Sequence, residues 1–341
     1  MWVLLSLDGV VVGPDALQAA AAATAGRYLE EICCISDGHR LVTPTLLDAL
    51  LRAGGFDDPW DLSAALVLFF LSGLSPALRP PLARPSRAAD VQEAFRDRNL
   101  RYGELMSHAE RDLEPLIAQI QQRGGGLRAL HVALGHDSVE TWILRRGALD
   151  AAHRQRSLPP TATRAERDAA DNAPDNLLGR LFEQTWLGPD RFLDVHGFPT
   201  APPPSPPLFD HERPLLTPDD LHALSLRASV AALTRRTARE ADLLLQHLGL
   251  ATAFAFTQAP PQPQGRASTL PLEPATAIIR AQDPATPIIF VSARPDELTQ
   301  ARALGLRVIG FAHQRTLRKP LQDAGAEAVI SRLDTLTRSL S

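Results

Sequence analysis

A short apolar strand at the start of the chain, residues 2–7, stands far from five further strand patterns that all lie beyond residue 216. Those five, at 230–233, 253–256, 288–291, 308–311 and 328–330, alternate with helical patterns at 237–248, 273–281, 296–304 and 316–324. Alternation of this kind predicts an α/β fold, a parallel sheet with helices on both faces. The first strand can join that sheet only if the roughly 200 residues after it form an insertion. Within the insertion the periodicity is helical at 16–32, 45–53, 62–71, 91–122 and 176–187. It is broken by a Pro/Arg-rich run at 79–85, by Gly124-Gly125-Gly126 and by a polar stretch at 157–174. The run Thr-Ala-Pro-Pro-Pro-Ser-Pro-Pro at 200–207 reads as a polyproline-type spacer. Residues 1–13 with 216–341 are therefore expected to form the α/β core, 14–199 an inserted helical domain, and 200–215 a proline-rich return linker.

Composition narrows the setting. A formal charge of −4 over 341 residues leaves no footprint for nucleic acid or an anionic membrane. The apolar run at 64–74 is too short to span a bilayer and reads as a buried helix. The N-terminal run has no basic segment before it and is interrupted by Asp8, so no signal peptide is expected. The two cysteines, Cys33 and Cys34, are neighbours, which argues against a disulfide framework and for a reducing cytoplasm. Lys319 is the single lysine, so nearly every cation is an arginine.

Ligand crevices in open parallel sheets lie at the carboxyl ends of the strands. The first strand ends in Ser6-Leu7-Asp8-Gly9. This resembles the strand-Asp-x-Asp-Gly opening of the haloacid dehalogenase superfamily, with Ser6 where the family places its nucleophilic aspartate. Thr234-Arg235-Arg236-Thr237-Ala238-Arg239-Glu240-Ala241 is similar to the Thr-Gly-Arg-Pro-x-x-Glu-Ala run of a phosphoglycolate-phosphatase-like subgroup, with Arg235 replacing glycine. The family's third-motif lysine corresponds to Leu270 in Ser268-Thr269-Leu270-Pro271. Its metal-holding fourth motif corresponds to Ser292-Ala293-Arg294-Pro295-Asp296-Glu297, with Ala293 at the first aspartate and Glu297 as the second acid. Matches continue through 301–311 and 321–330, and in the insertion at 53–62, 176–188 and 212–216. A second register takes 289–295 as the second motif and Lys319-Pro320 as the third. It leaves no fourth motif and the tail unmatched.

The resemblance implies a Rossmannoid core with an inserted α-helical cap, and Mg²⁺ in an intact member. Serine cannot stand in for the missing aspartate. Its hydroxyl is neutral at pH 7, has no evident base beside it, and brings no charge to hold the metal. Ser6, Leu270 and Ala293 together remove two carboxylates and a lysine that had balanced one another with the metal. Losing any one alone would strand the rest as uncompensated charge.

The expectation is a catalytically degenerate, phosphatase-like protein without metal, which binds a small anionic ligand, or a protein partner through its cap. Asp8, paired to an arginine, together with Thr234, Arg235, Arg236 and Arg294, would line the anion site. Three arginines turned to solvent are the alternative. In the cap, Gly54 and Gly55 read as the turn of a closing loop or as a helix C-cap, and Trp60 as a pocket wall or a packing residue. A weak Mg²⁺-dependent phosphatase acting on a small phosphorylated metabolite, retaining Asp8, Thr234 and Glu297, is the competing function. Other chemistry is disfavoured. His131 and His136 lack metal-ligand context, Gly124–Gly126 lacks the Gly-Lys-Ser/Thr ending of a phosphate loop, and no histidine lies near a motif position to activate Ser6.

Overall fold

A computed structural model describes residues 1–33, 35–56, 58–73, 102–135, 161, 163–165, 177–200, 203, 205–260 and 269–339. Cys34, Asp57, His136, Ser268, the sequence break at 79–85 and all of the break at 157–174 except 161 and 163–165 lie outside the described residues, as does the first third of the helix expected at 91–122. The chain divides into two compact units, Met1–Asp15 with His211–Ser341, and Ala16–Asp210.

The first unit is a six-stranded sheet: β1 (Trp2–Ser6), β2 (Ser229–Leu233), β3 (Phe256–Gln258), β4 (Ile288–Ser292), β5 (Arg307–Phe311) and β6 (Ala328–Ile330), all parallel, in the order β3-β2-β1-β4-β5-β6. The central strands are apolar on both sides because both faces are covered. Leu4 and Phe290 enter a core with Leu272 and Ile279, Leu298, and Leu321, which come from the helices Leu272–Gln282, Pro295–Ala303 and Arg318–Asp323. Their neighbours Val3, Leu5, Ile289 and Val291 point the other way and are equally buried. Only β3 departs clearly from the expected strands. Residues 251–255 form a turn, and pairing starts at Ala231↔Phe256, because the chain must first travel back from the end of the helix Ala238–His247.

The strand order reverses at β1, with β2 on one side and β4 on the other. The crevice of a doubly wound sheet lies there, beyond the carboxyl ends of these strands. Two local devices aim the loops at it. Thr237 Oγ1 accepts from the Glu240 amide (3.2 Å) while Glu240 accepts from the Thr237 amide (2.7 Å), which starts the helix after β2. Pro295 supplies the first turn of the helix after β4.

The second unit is helical among the described residues. The helix Pro44–Ala53 packs on Tyr102–Gln122, and Pro59–Ser72 packs on both Gly126–Leu134 and Leu177–His196. Pro59–Ser72 is apolar all round and buried from Leu62 to Leu71, as an interior helix should be. No described helix is long and apolar enough to cross a membrane. The helix expected to stop at 187 does so, and a second helical segment follows it to His196. Gly188 takes a left-handed conformation (φ 74°) that ends one segment, and Pro189 begins the next.

Gly54 and Gly55 follow the helix Pro44–Ala53 with φ of 82° and 76°. They lie backbone to backbone against the glycine triplet, where the Gly126 amide donates to Gly54 O at 2.8 Å. A Cβ on residue 55 would come within 2.5 Å of Gly126 N. Gly55→Ala should destabilise the protein by about 2–4 kcal/mol, from left-handed strain plus overpacking. Urea unfolding followed by circular dichroism reads this, and an unchanged midpoint would contradict the tight contact.

Candidate functional site

β1 delivers Ser6 to the switch point, where its hydroxyl donates to the carbonyl of Asp8 at 3.3 Å. The chain then makes a wide turn closed by Val12 N to Leu7 O (2.9 Å) and Gly9 N to Val12 O (2.8 Å). Gly9 is needed there: its φ is 85°, and an added Cβ would sit 2.9 Å from that of Ala293. So the segments after β1 and β4 touch, as the first and fourth motifs should, but the touching side chain is a methyl group. Leu270 does not reach the crevice; it packs into the apolar core with Leu4 and Phe290.

The loop after β2 brings the charge. The hydroxyl of Thr234, fully buried, accepts from the Arg236 amide at 3.0 Å. The Arg236 guanidinium has no exposed surface. Its Nε and Nη2 donate to Asp8 Oδ1 at 2.9 and 2.6 Å, and its Nη1 and Nη2 to Glu212 Oε1 at 3.2 and 3.3 Å. Burial alone would loosen its proton, but Asp8 and then Glu212 outweigh that effect and hold the guanidinium more firmly charged than usual.

Arg235 and Arg294 form a second cluster at the start of the helix Pro295–Ala303. Arg235 reaches Asp296 at 2.6 Å and Glu297 at 3.2 Å, while Arg294 reaches Asp296 at 3.2 Å and Glu297 at 3.3 Å. Ser292 Oγ donates to Glu297 Oε2 at 2.6 Å. Burial pushes the Glu297 carboxyl above its ordinary value, and the arginines only partly offset this. For Asp296 burial again pulls upward, but Arg294 and then Arg235 prevail and hold it below the usual range.

None of the three arginines is turned to solvent, and each already meets carboxylates. Asp8 keeps 28% of its side-chain surface exposed and Asp296 keeps 52%. The donor set does not fit Mg²⁺. Ser6 and Ala293 offer no carboxylate, Asp8 Oδ1 is held by a guanidinium, and the described residues contain no group of three or more His, Cys, Asp or Glu placed for a metal.

Two participants were not assigned from sequence. Glu212 was visible only within a matching Glu-Arg-Pro run, and nothing local signals that it meets Arg236. His313 corrects the expectation that no histidine lies near a motif. It follows β5, which only β4 separates from β1, and it lies near the Gly9 backbone. Burial lowers its pKa, partly offset by Asp15 and then by the Gly9 backbone, and its Nδ1 is buried without a partner. Ser6 gains no base from it, because its hydroxyl is turned to Asp8 O.

Gly54, Gly55 and Trp60 belong to the helical unit. Asp58 caps the helix on which Trp60 sits by accepting from the Trp60 amide at 2.8 Å, and the indole N–H of Trp60 is buried without a partner. The same unit holds Ser72, His108 and Asp112, residue types of a nucleophilic triad, with His108 Nε2 3.4 Å from Ser72 Oγ and Nδ1 2.8 Å from Asp112. The geometry is that of a cap. Ser72 Oγ donates to Phe69 O at 2.6 Å, and Nε2 faces the same carbonyl at 3.1 Å.

Arg236→Met would take the guanidinium away from the fully buried Glu212 and the partly exposed Asp8, and should cost about 3–5 kcal/mol in urea unfolding; a loss under about 1 kcal/mol would contradict the pairing. Glu297 carries the opposite sign of pH dependence from an ordinary paired acid. Its folded-state value is raised, so its contribution is present below the ordinary glutamate range and is lost as pH rises through the folded value. Relative to Glu297→Gln, the native protein should lose stability as pH rises above the ordinary glutamate range. A difference moving the other way would show that the arginines, not burial, dominate.

No protein-family model and no curated protein sequence matches the chain. Solved structures do. A structural-genomics crystal structure is 15% identical with a TM-score of 0.57, covering 99% of this chain and 97% of its own. The phosphatase Tt82 from Thermococcus thioreducens is 16% identical with a TM-score of 0.50, covering 94% of this chain and 99% of its own. A haloacid dehalogenase-like family hydrolase from Streptococcus pneumoniae is 9% identical with a TM-score of 0.42, over 100% and 98%. At these identities the likeness is one of fold. The six-stranded parallel sheet, its strand order and its helical insertion give this chain the haloacid dehalogenase-like fold.

Proposed function

We propose that the protein is a phosphatase-like binding protein that does not hydrolyse phosphate esters. The observation that carries this is the capture of Asp8 by Arg236, beside the uncharged motif positions Ser6 and Ala293, with Leu270 at the lysine position withdrawn into the core. Phosphoryl transfer depends on positioned metal and charge, single groups of that kind being worth about 10³-fold or more. Here no carboxylate stands at the nucleophile position, and Asp8 already answers a cation.

The ligand best suited to the site is a small anion bearing a carboxylate or phosphate. Asp8 and Asp296 are the partly exposed members of the two clusters, so a ligand oxygen can exchange with either of them on its arginine, one charge-assisted hydrogen bond for another. The full matching of the arginines makes such binding modest in strength, and a protein partner at the cap remains the companion reading. A reducing cytoplasm suits a chain whose two cysteines are sequence neighbours.

A weak Mg²⁺-dependent phosphatase is the competing function, resting on Asp8, Thr234 and Glu297. Two of the three speak against it. The Thr234 hydroxyl is fully buried and bonded to a backbone amide, and Glu297 is enclosed by Arg235, Arg294 and Ser292. The purified protein with Mg²⁺ and an aryl phosphate should release no phosphate above the uncatalysed rate, while inorganic phosphate without metal should raise its melting temperature. Metal-dependent turnover that disappears in Asp8→Asn would overturn the proposal.

A further inference from the structure

The inserted unit is attached to the sheet unit by two segments, one leaving after β1 and one returning before β2. Where they pass, they form a very short antiparallel ribbon. Leu215 N donates to Val11 O at 2.8 Å, Gly13 N donates to Arg213 O at 3.0 Å, and Val12 faces Pro214. Pro214 has no N–H to extend the ladder, and a ribbon of this length has little stability of its own in water. Asp8 lies on the leaving segment and Glu212 on the returning one, and both carboxylates converge on Arg236.

Arg236 is itself held firmly. Its amide is bonded to Thr234 Oγ1, and its loop is closed by the Thr237–Glu240 capping box. The planar fork of a guanidinium can meet two carboxylates at once from one fixed position, which a lysine ammonium on a flexible stem does not do.

We propose that Arg236 is a resident cation that clasps the two attachment segments of the insertion to each other and to the loop after β2, so that their arrangement needs no bound metal. The clasp is a matter of structure, not turnover, and it stands whether or not the protein proves to be catalytic.

Hydrogen exchange read residue by residue tests it. In Arg236→Met, the amides of Gly13 and Leu215 should lose protection together, by about tenfold or more, to well below the level at β4 and β5, whose protection falls only with the global stability. Arg236→Lys should restore only part of the protection. In Arg236→Ala, a few millimolar guanidinium ion should restore protection that sodium chloride at equal ionic strength does not. Unchanged exchange at Gly13 and Leu215 would overturn the proposal, and so would a uniform rise across the whole sheet, which would make Arg236 general core support. Should Arg236→Met fail to fold, Asp8→Asn and Glu212→Gln each remove one arm while preserving shape. Each should then raise exchange at both amides, and failure of both to do so would equally overturn the clasp.

Discussion

A guanidinium with no access to water has to be answered by carboxylates, and in this molecule that requirement organises the carboxyl edge of the sheet. Arg236 is answered by Asp8 and by Glu212, which approach it from opposite crossings of the chain. Asp8 is also the acid that survives in the segment resembling the family's first motif, and the contact that satisfies Arg236 occupies its Oδ1. The neutral residues nearby follow from this. With a protein cation seated beside Asp8, carboxylates at positions 6 and 293 would have no metal to balance them and would be buried at a cost of several kcal/mol each. Serine and alanine carry no such cost.

The second cluster follows the same logic one loop further on. Arg235 stands where the similar motif has a glycine, and its side chain turns to Asp296 and Glu297 rather than into open space. The sheet edge is therefore dense in charge yet internally matched. Such an edge is a poor electrostatic trap for a metal, because its carboxylates already answer arginines.

Much of the fold was legible in the chain because it rests on local signals. The apolar runs at β1, β4 and β5 and the Pro and Gly punctuation around them place the strands within a residue or so. β3 was misplaced because its start is set by how far the chain must travel back from the preceding helix, a tertiary quantity. The helix ending at 187 was placed correctly, and the segment that follows it was missed because Gly188-Pro189 reads equally as an end or as an end followed at once by a new start. The site was legible only in part. Substitutions at 6, 270 and 293 are visible as missing letters, but the partners of the arginines depend on contacts more than two hundred residues apart, as for Asp8 with Arg236. Glu212 and His313 were overlooked for that reason: their neighbours Arg236 and Gly9 are close only once the sheet order is known.

The account turns on whether this crevice can take up magnesium. Isothermal titration of the native protein with Mg²⁺ measures that directly, with Asp8→Asn as the reference. Heats no larger than those of dilution, identical in the two proteins up to millimolar metal, are the predicted result. Saturable uptake by the native protein that vanishes in Asp8→Asn would mean that Arg236 yields its place to the ion, and the account would fall.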